Sequence, residues 1–249
     1  MDRFEFFSEL PRLNPGSVAF TSLLLNSIDL EDDDLVVDLE AGAGDRSVWL
    51  ARSRVHPITA VNQDERFNEI LEARSNDGGT PTFVDTVVSD TLSLPFEPGS
   101  CKLILAEWAA VEHGFETSLK TWGPLLADDG YLALSYPGVK NKDAPVEARG
   151  PLELRMAEPM DTLQNYLKII GELGFELVFQ LPLSEASWSD FYADTLRRCW
   201  ALVKADPTMK DDPIVKTALA EAKWYRRVGR GRVFLQGLLL KKQKPATSD

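Results

Sequence analysis

The chain has only two cysteines and two histidines in 249 residues, so the side chains that most often hold metal ions are scarce. Cys101 and Cys199 stand too far apart for a cysteine zinc site and are too few for a disulfide framework. Both are expected as small buried hydrophobes. No H-E-x-x-H, no C-x-x-C and no carboxylate cluster at ligand spacing occurs, so no metal is expected. No apolar run approaches the roughly 20 residues that cross a bilayer. Positive charge is in deficit: 27 Lys and Arg against 39 Asp and Glu leave a net −12. A field of that sign repels phosphate backbones, and neither a nucleic acid nor a membrane is expected as a partner. The opening stretch MDRFEFFSEL is acidic and amphipathic, unlike a targeting peptide, so a cytoplasmic address is the expectation.

What the chain does have is a regular alternation. Apolar runs of strand length fall at 34–39, 58–63, within 81–90, and at 101–107, 130–137, 176–182 and about 232–240. Helix-length segments separate most of them, and the strands are continuously apolar rather than alternating. That pattern predicts an α/β fold with a mostly parallel seven-stranded sheet, Rossmann-like and doubly wound, with helices on both faces. Residues 4–28 read as two helices broken at NPGS, the first with Phe6, Phe7, Leu10 and Leu13 on its apolar side. The expected organisation is a helical cap over 1–30 and a domain over 31–249 that carries a helical insertion at about 186–228.

The stretch VVDLEAGAGDRSVWLA carries the chemistry. In an open parallel sheet, ligands bind beyond the carboxyl ends of the strands where strand order reverses, and the end of the first strand borders that crevice. Asp38 stands there. Gly42 and Gly44 allow close backbone approach to a ligand, and Asp45 or Ser47 can cap the next helix. Asn62 ends the second strand, 20 residues beyond Gly42, where dinucleotide-binding folds place an acid for ribose.

Taken in order, VVDLEAGAG, ITAVNQDERF, VVSDTLSLPFEPGSCKLILAEWAAVEHGF, LLADDGYLALSYP and YLKIIGELGFELV resemble the class I S-adenosylmethionine-dependent methyltransferases over roughly 30–240. The likeness is greatest to small-molecule members with an LPF…SFDLV…SEGA centre. It implies six parallel strands with the last antiparallel, S-adenosylmethionine as cofactor and a small-molecule methyl acceptor. Residue by residue, Asp38, Gly42 and Gly44 match the cradle of the methionine part and Asn62 matches the ribose acid. Asp90 with Thr91 matches the adenine contacts, and Glu107 with Trp108 matches the floor after the fourth strand. The sequence departs from the family where Glu40 replaces the first loop glycine, where Asn62 replaces the acid and where ADDG replaces K-P-G-G. Replacing an acid by Asn costs on the order of 1 to 2 kcal/mol of cofactor affinity.

His113 and Glu107 are the candidate catalytic residues, with Glu112 competing for the acid/base role; a polar residue at the exposed start of a helix is the plainer account of His113. His56 is expected as a solvated loop residue. Trp188, Phe191, Tyr192 and Trp200 form an aromatic stripe in the insertion that suits either core packing or a lid. KWYRRVGRGR is a lone basic patch, explained most simply as a charged helix face. Two alternatives remain at this point. One is a non-catalytic protein of the same fold acting as a binding or regulatory subunit. The other is a nicotinamide-dependent oxidoreductase, which Asn62 and the missing third glycine disfavour.

Overall fold

In the computed structural model residues 1–16, 18–54, 56–80, 83–143 and 146–243 are described. Seven strands form one sheet: β1 (Leu35–Leu39), β2 (Ile58–Asn62), β3 (Val84–Val88), β4 (Cys101–Glu107), β5 (Leu126–Val139), β6 (Phe175–Pro182) and β7 (Val233–Lys242). Their order is β3-β2-β1-β4-β5-β7-β6, and β7 alone runs antiparallel, paired with β5 on one side and β6 on the other. The strands at the centre are buried almost throughout, as Val/Ile/Leu runs covered on both faces must be.

Strand order reverses between β1 and β4, where Asp38 pairs in register with Leu105. The segments that leave β1, β2 and β4 therefore converge at one crevice above the sheet. Alternate residues of β1 feed different cores. Val36 packs with Leu50 of α3 (Asp45–Arg54), Leu71 of α4 (Glu65–Asp77) and Phe20 and Leu24 of α2 (Val18–Leu25). Val37 and Leu39 pack on the opposite face with Phe115 and Trp122 of α5 (Phe115–Trp122) and Ile170 of α7 (Leu163–Glu172).

The insertion before β7 consists of α8 (Glu185–Ala205), α9 (Pro213–Trp224) and a π-helical turn at Tyr225–Gly229. Asp212 caps α9 by accepting from the amide of Ile214 at 2.9 Å, ahead of Pro213 in the first turn. Trp188, Phe191 and Tyr192 are core, whereas Trp200 is on the surface. A further helix, α6 (Val146–Glu153), bends at Gly150 and has no counterpart in the sequence reading. Its Gly-Pro pair reads as a break.

Three local expectations need correction. The first helix, α1, covers only Arg3–Phe7, so Leu10 and Leu13 lie beyond it and the helical spacing of Leu13 has another cause, given below. His56 is not solvated: it is 4% exposed, with Nδ1 2.7 Å from the Pro57 carbonyl and Nε2 2.9 Å from that of Glu31. It closes the loop before β2. Finally, neither expected cap serves α3, because the Ser47 hydroxyl turns to Asp38 and the Asp45 carboxylate to Arg74. Cys101 and Cys199 are buried and free, as expected.

Candidate active site

Two carboxylates are buried side by side at the ends of β1 and β4. Asp38 is fully buried and Glu107 is 3% exposed, so each needs compensation. Arg46, from the first turn of α3, supplies it. Its Nε donates to Asp38 Oδ1 at 2.9 Å, its Nη2 bonds the same oxygen, and its Nη1 lies 3.7 Å from Glu107 Oε2. Ser47 donates to the other oxygen of Asp38 at 2.6 Å, and Thr21 of α2 donates to Glu107 Oε1 at 2.5 Å. Burial pushes the Glu107 carboxyl above its ordinary range, with Arg46 and Thr21 pulling the other way. Among the site residues that the sequence reading missed, Arg46 has the largest role. Two buried acids on neighbouring strands call for a cation, and this is the arginine nearest both in the loop.

The loop between them is held open by backbone shape. Glu40 has φ 51°, Gly42 58° and Gly44 84°, all in the left-handed region. A methyl on Gly42 would collide with Leu13, and one on Gly44 with the fully buried Leu71. Leu13 therefore belongs to a strap, residues 8–16, that lies on the cradle. Asn62 grips the same loop from β2. Its Oδ1 accepts from the Gly42 amide at 2.7 Å, and its amide donates to the Gly42 carbonyl at 3.1 Å and to Asn68 Oδ1 at 2.8 Å.

Beyond β4, Trp108 takes φ 71° and starts a 3-10 turn, Ala109–Glu112, that ends on His113. His113 Nε2 lies 2.7 Å from the Thr91 hydroxyl, and the Thr91 carbonyl accepts from Trp122 Nε1 at 2.7 Å. The ring of His113 is thus fixed from β3's exit rather than exposed at a helix start. Asp90, beside Thr91, is exposed, and its Oδ1 accepts from the Leu92 amide at 2.8 Å. Glu112 is exposed and paired with Arg3 at 2.6 Å.

Three cavities meet in the crevice. One of about 510 Å³ lies over β2 and β3, against Asn62, Gln63, Phe67 and Val88. A second, of about 360 Å³, lies over β1 and α3, against Arg12, Thr21, Arg46 and Glu107. A third, of about 40 Å³, sits between Leu13, Glu107, Trp108 and His113. Glu40 lines all three. Its carboxyl is pushed above the ordinary range chiefly by burial, with Arg3 and a bond to Gln63 opposing. The structure thus gathers Glu40, Asn62, Glu107, Trp108 and His113 around one space, with Asp38, Gly42 and Gly44 supporting its floor. Asp90 and Thr91 stand at its β3 side and line none of the three. Among the described residues no group of His, Cys, Asp and Glu could hold a metal ion.

The sequence matches no protein-family model and no curated protein. Solved structures do match over nearly the whole chain. YjhP from E. coli superposes with a TM-score of 0.82 at 18% identity, covering 96% of this chain and 99% of that one. A SAM-dependent methyltransferase from Geobacter sulfurreducens, crystallised with S-adenosyl-L-homocysteine, superposes at 0.81 and 18% identity, covering 98% and 99%. The [4+2]-cyclase SpnF superposes at 0.73 and 17% identity, covering 91% and 81%. The chain has the Rossmann-like methyltransferase fold, with six parallel strands and one antiparallel. A fold of this kind hosts more than one chemistry.

Proposed function

We propose that the chain binds S-adenosylmethionine and transfers its methyl group to a small-molecule acceptor. The observation that carries this reading is Glu40, which stands where two large cavities and one small one meet. A molecule with two polar ends and a reactive cation between them fits that division. The donor set suits a ligand that carries both signs: the carboxyls of Glu40 and Glu107 face the cavities, and the guanidiniums of Arg12 and Arg46 stand on the α3 side. The adenosine part would lie over β2 and β3 against Asn62, Gln63 and Val88, with Asp90 and the Thr91 amide reaching its base. The amino-acid part would lie against Arg46, Thr21 and Arg12. The cofactor supplies an electrophilic methyl on a positively charged sulfur.

The chain's share of the reaction is mainly alignment, since methyl transfer from sulfur needs donor and acceptor in line more than it needs an acid. Gly42 and Gly44 let the backbone approach, and Asn62 fixes the loop that they form. Trp108 and His113 wall the small space where an acceptor atom would meet the methyl. In the tautomer whose Nε2–H donates to the Thr91 hydroxyl, the Nδ1 of His113 accepts a proton from the acceptor. Glu107, tied to Thr21 and Arg46, keeps a carboxylate beside the cation. Its catalytic share is electrostatic.

Calorimetric titration with S-adenosylmethionine, S-adenosylhomocysteine and NAD tests the reading. Heat with the first two and none with NAD is expected. Asp90→Ala should weaken both about tenfold, the size of one charge-assisted hydrogen bond. Heat with NAD alone would replace the proposal by an oxidoreductase. No heat at millimolar concentrations of all three would leave a non-catalytic binding protein of this fold.

A further inference from the structure

The basic stretch KWYRRVGRGR has no part in the crevice. In a chain of net −12 it places Lys223, Arg226, Arg227 and Arg230 within eight residues, around the π-helical turn that follows α9. All four are exposed. Arg230 pairs with Glu185 at 3.0 Å, while the ion pairs among the described residues include none of Lys223, Arg226 and Arg227. The end of a helix favours cations, but like charges three and four residues apart repel one another. Stability alone gives no reason to crowd them here. π-Helical turns are rare and occur often at functional sites.

Across from these cations, α8 presents Tyr192, Leu196 and Trp200, the last 59% exposed. A cavity of about 330 Å³ and another of about 360 Å³ meet at Leu196 and Arg226, forming one groove between α8 and the end of α9. Its floor is aromatic and aliphatic and its rim is cationic. The floor is also rigid: the Tyr192 ring stacks on Trp188 at 5.8 Å and contacts Tyr225 at 4.9 Å, and its hydroxyl donates to the buried Glu221 at 2.9 Å. A groove of this size, concave and mostly apolar with a few charges at one side, has the make-up of a small-ligand site.

We propose that this groove is a second binding site, for an amphipathic organic anion: an apolar body that covers Trp200 and Leu196, and a carboxylate, sulfonate or phosphate head held by Arg226 and its neighbours. An extended polyanion is disfavoured, because beyond the patch it meets the field of a chain of net −12. A small ligand stays within the Debye length of about 8 Å at physiological salt, where the four cations dominate.

The probe is 8-anilinonaphthalene-1-sulfonate, titrated by its fluorescence into the intact protein and then displaced. Saturable binding is expected, and decanoate should displace it, whereas inorganic phosphate and decan-1-ol at equal concentration should not. Arg226→Gln and Trp200→Ala should each weaken the probe about tenfold, while Lys168→Gln, an exposed change on α7, should leave it unaltered. Should Trp200→Ala fail to fold, Arg226→Gln decides alone, since that side chain is exposed and has no ion pair among the described residues. Displacement by phosphate would reduce the site to a plain anion patch, and displacement by decan-1-ol to a plain apolar one. Either result, or an unchanged affinity in Arg226→Gln, overturns the proposal. No arm of this experiment uses S-adenosylmethionine, so its outcome is separate from that of the titration above.

Discussion

Glu40 carries two burdens at once: a left-handed backbone at φ 51° and a carboxyl whose pKa burial raises. Each burden gives a prediction. Glycine adopts that backbone freely, so Glu40→Gly should raise unfolding stability by about 1 kcal/mol in urea. If the carboxylate serves a bound cation, the same change should weaken S-adenosylmethionine, which makes stability and affinity move in opposite directions. A gain in both would show that the residue only obstructs the loop. The charge is tested by Glu40→Gln. A raised folded value means that the folded chain keeps this proton where the unfolded chain, near 4.5, has lost it. The associated stability is complete below that value and declines as pH rises through the folded one. Glu40→Gln should remove this decline, read from urea midpoints between acid and neutral pH. A second residue, Arg46, is 12% exposed and serves two buried acids. Arg46→Met removes the cation between them, leaving only the Ser47 and Thr21 hydroxyls, and should cost about 3–5 kcal/mol at neutral pH, less as acid protonates them. A loss under 1 kcal/mol would mean that water reaches the pair.

At the scale of elements, the cradle and the strap are one assembly, because Leu13 sits where a side chain on Gly42 would go. The two loop glycines differ in what stands over them. Gly42 faces the half-buried Leu13 of a strap, and Gly44 faces Leu71, locked in the core. Both alanine variants pay for the left-handed backbone, about 1 kcal/mol or more, but Gly44→Ala must also displace a packed side chain. It should lower the melting temperature more than Gly42→Ala does. Gly42→Ala should instead loosen the strap, seen as faster proteolysis between residues 8 and 16, and equal proteolysis in the two variants would count against this. The sheet was legible because continuously apolar runs have few alternatives, and the crevice was legible because strand order places it. The strap was not: Leu13 keeps helical spacing from Phe6 and Leu10, yet it lines the crevice instead. Nor were the reach of Arg46 to Glu107 and the grip of Asn62 on Gly42, since a partner 61 or 20 residues away leaves no local mark. His56 was misread for the same reason, its carbonyl partner at Glu31 being 25 residues distant.

At the scale of the molecule, the question is whether the N-terminal cap is a separate unit. The sequence reading sets a boundary near residue 30, and core contacts cross it. Phe20 and Leu24 of α2 share a core with β1, β2 and β4, and the N-terminal amine bonds Asp212 at 2.7 Å, 211 residues away. Phe20 is fully buried, and its ring lies so close to the backbone of β7 that a methyl on Gly237 would collide with it. The cap is thereby packed against the strand that closes the sheet. Gly237→Ala meets the Phe20 ring first, in a strand whose backbone tolerates alanine, and should cost about 1–3 kcal/mol by overpacking. If the cap and sheet unfold as one unit, the loss should appear in a single transition whose midpoint is the same by far-ultraviolet circular dichroism and by tryptophan fluorescence. If the cap unfolds first, the variant should instead show an early step by circular dichroism, with the main transition unmoved. The first outcome is expected, because α2 covers Leu103, Leu105 and Ala133 at the centre of the sheet, and exposing them would remove the core on that face.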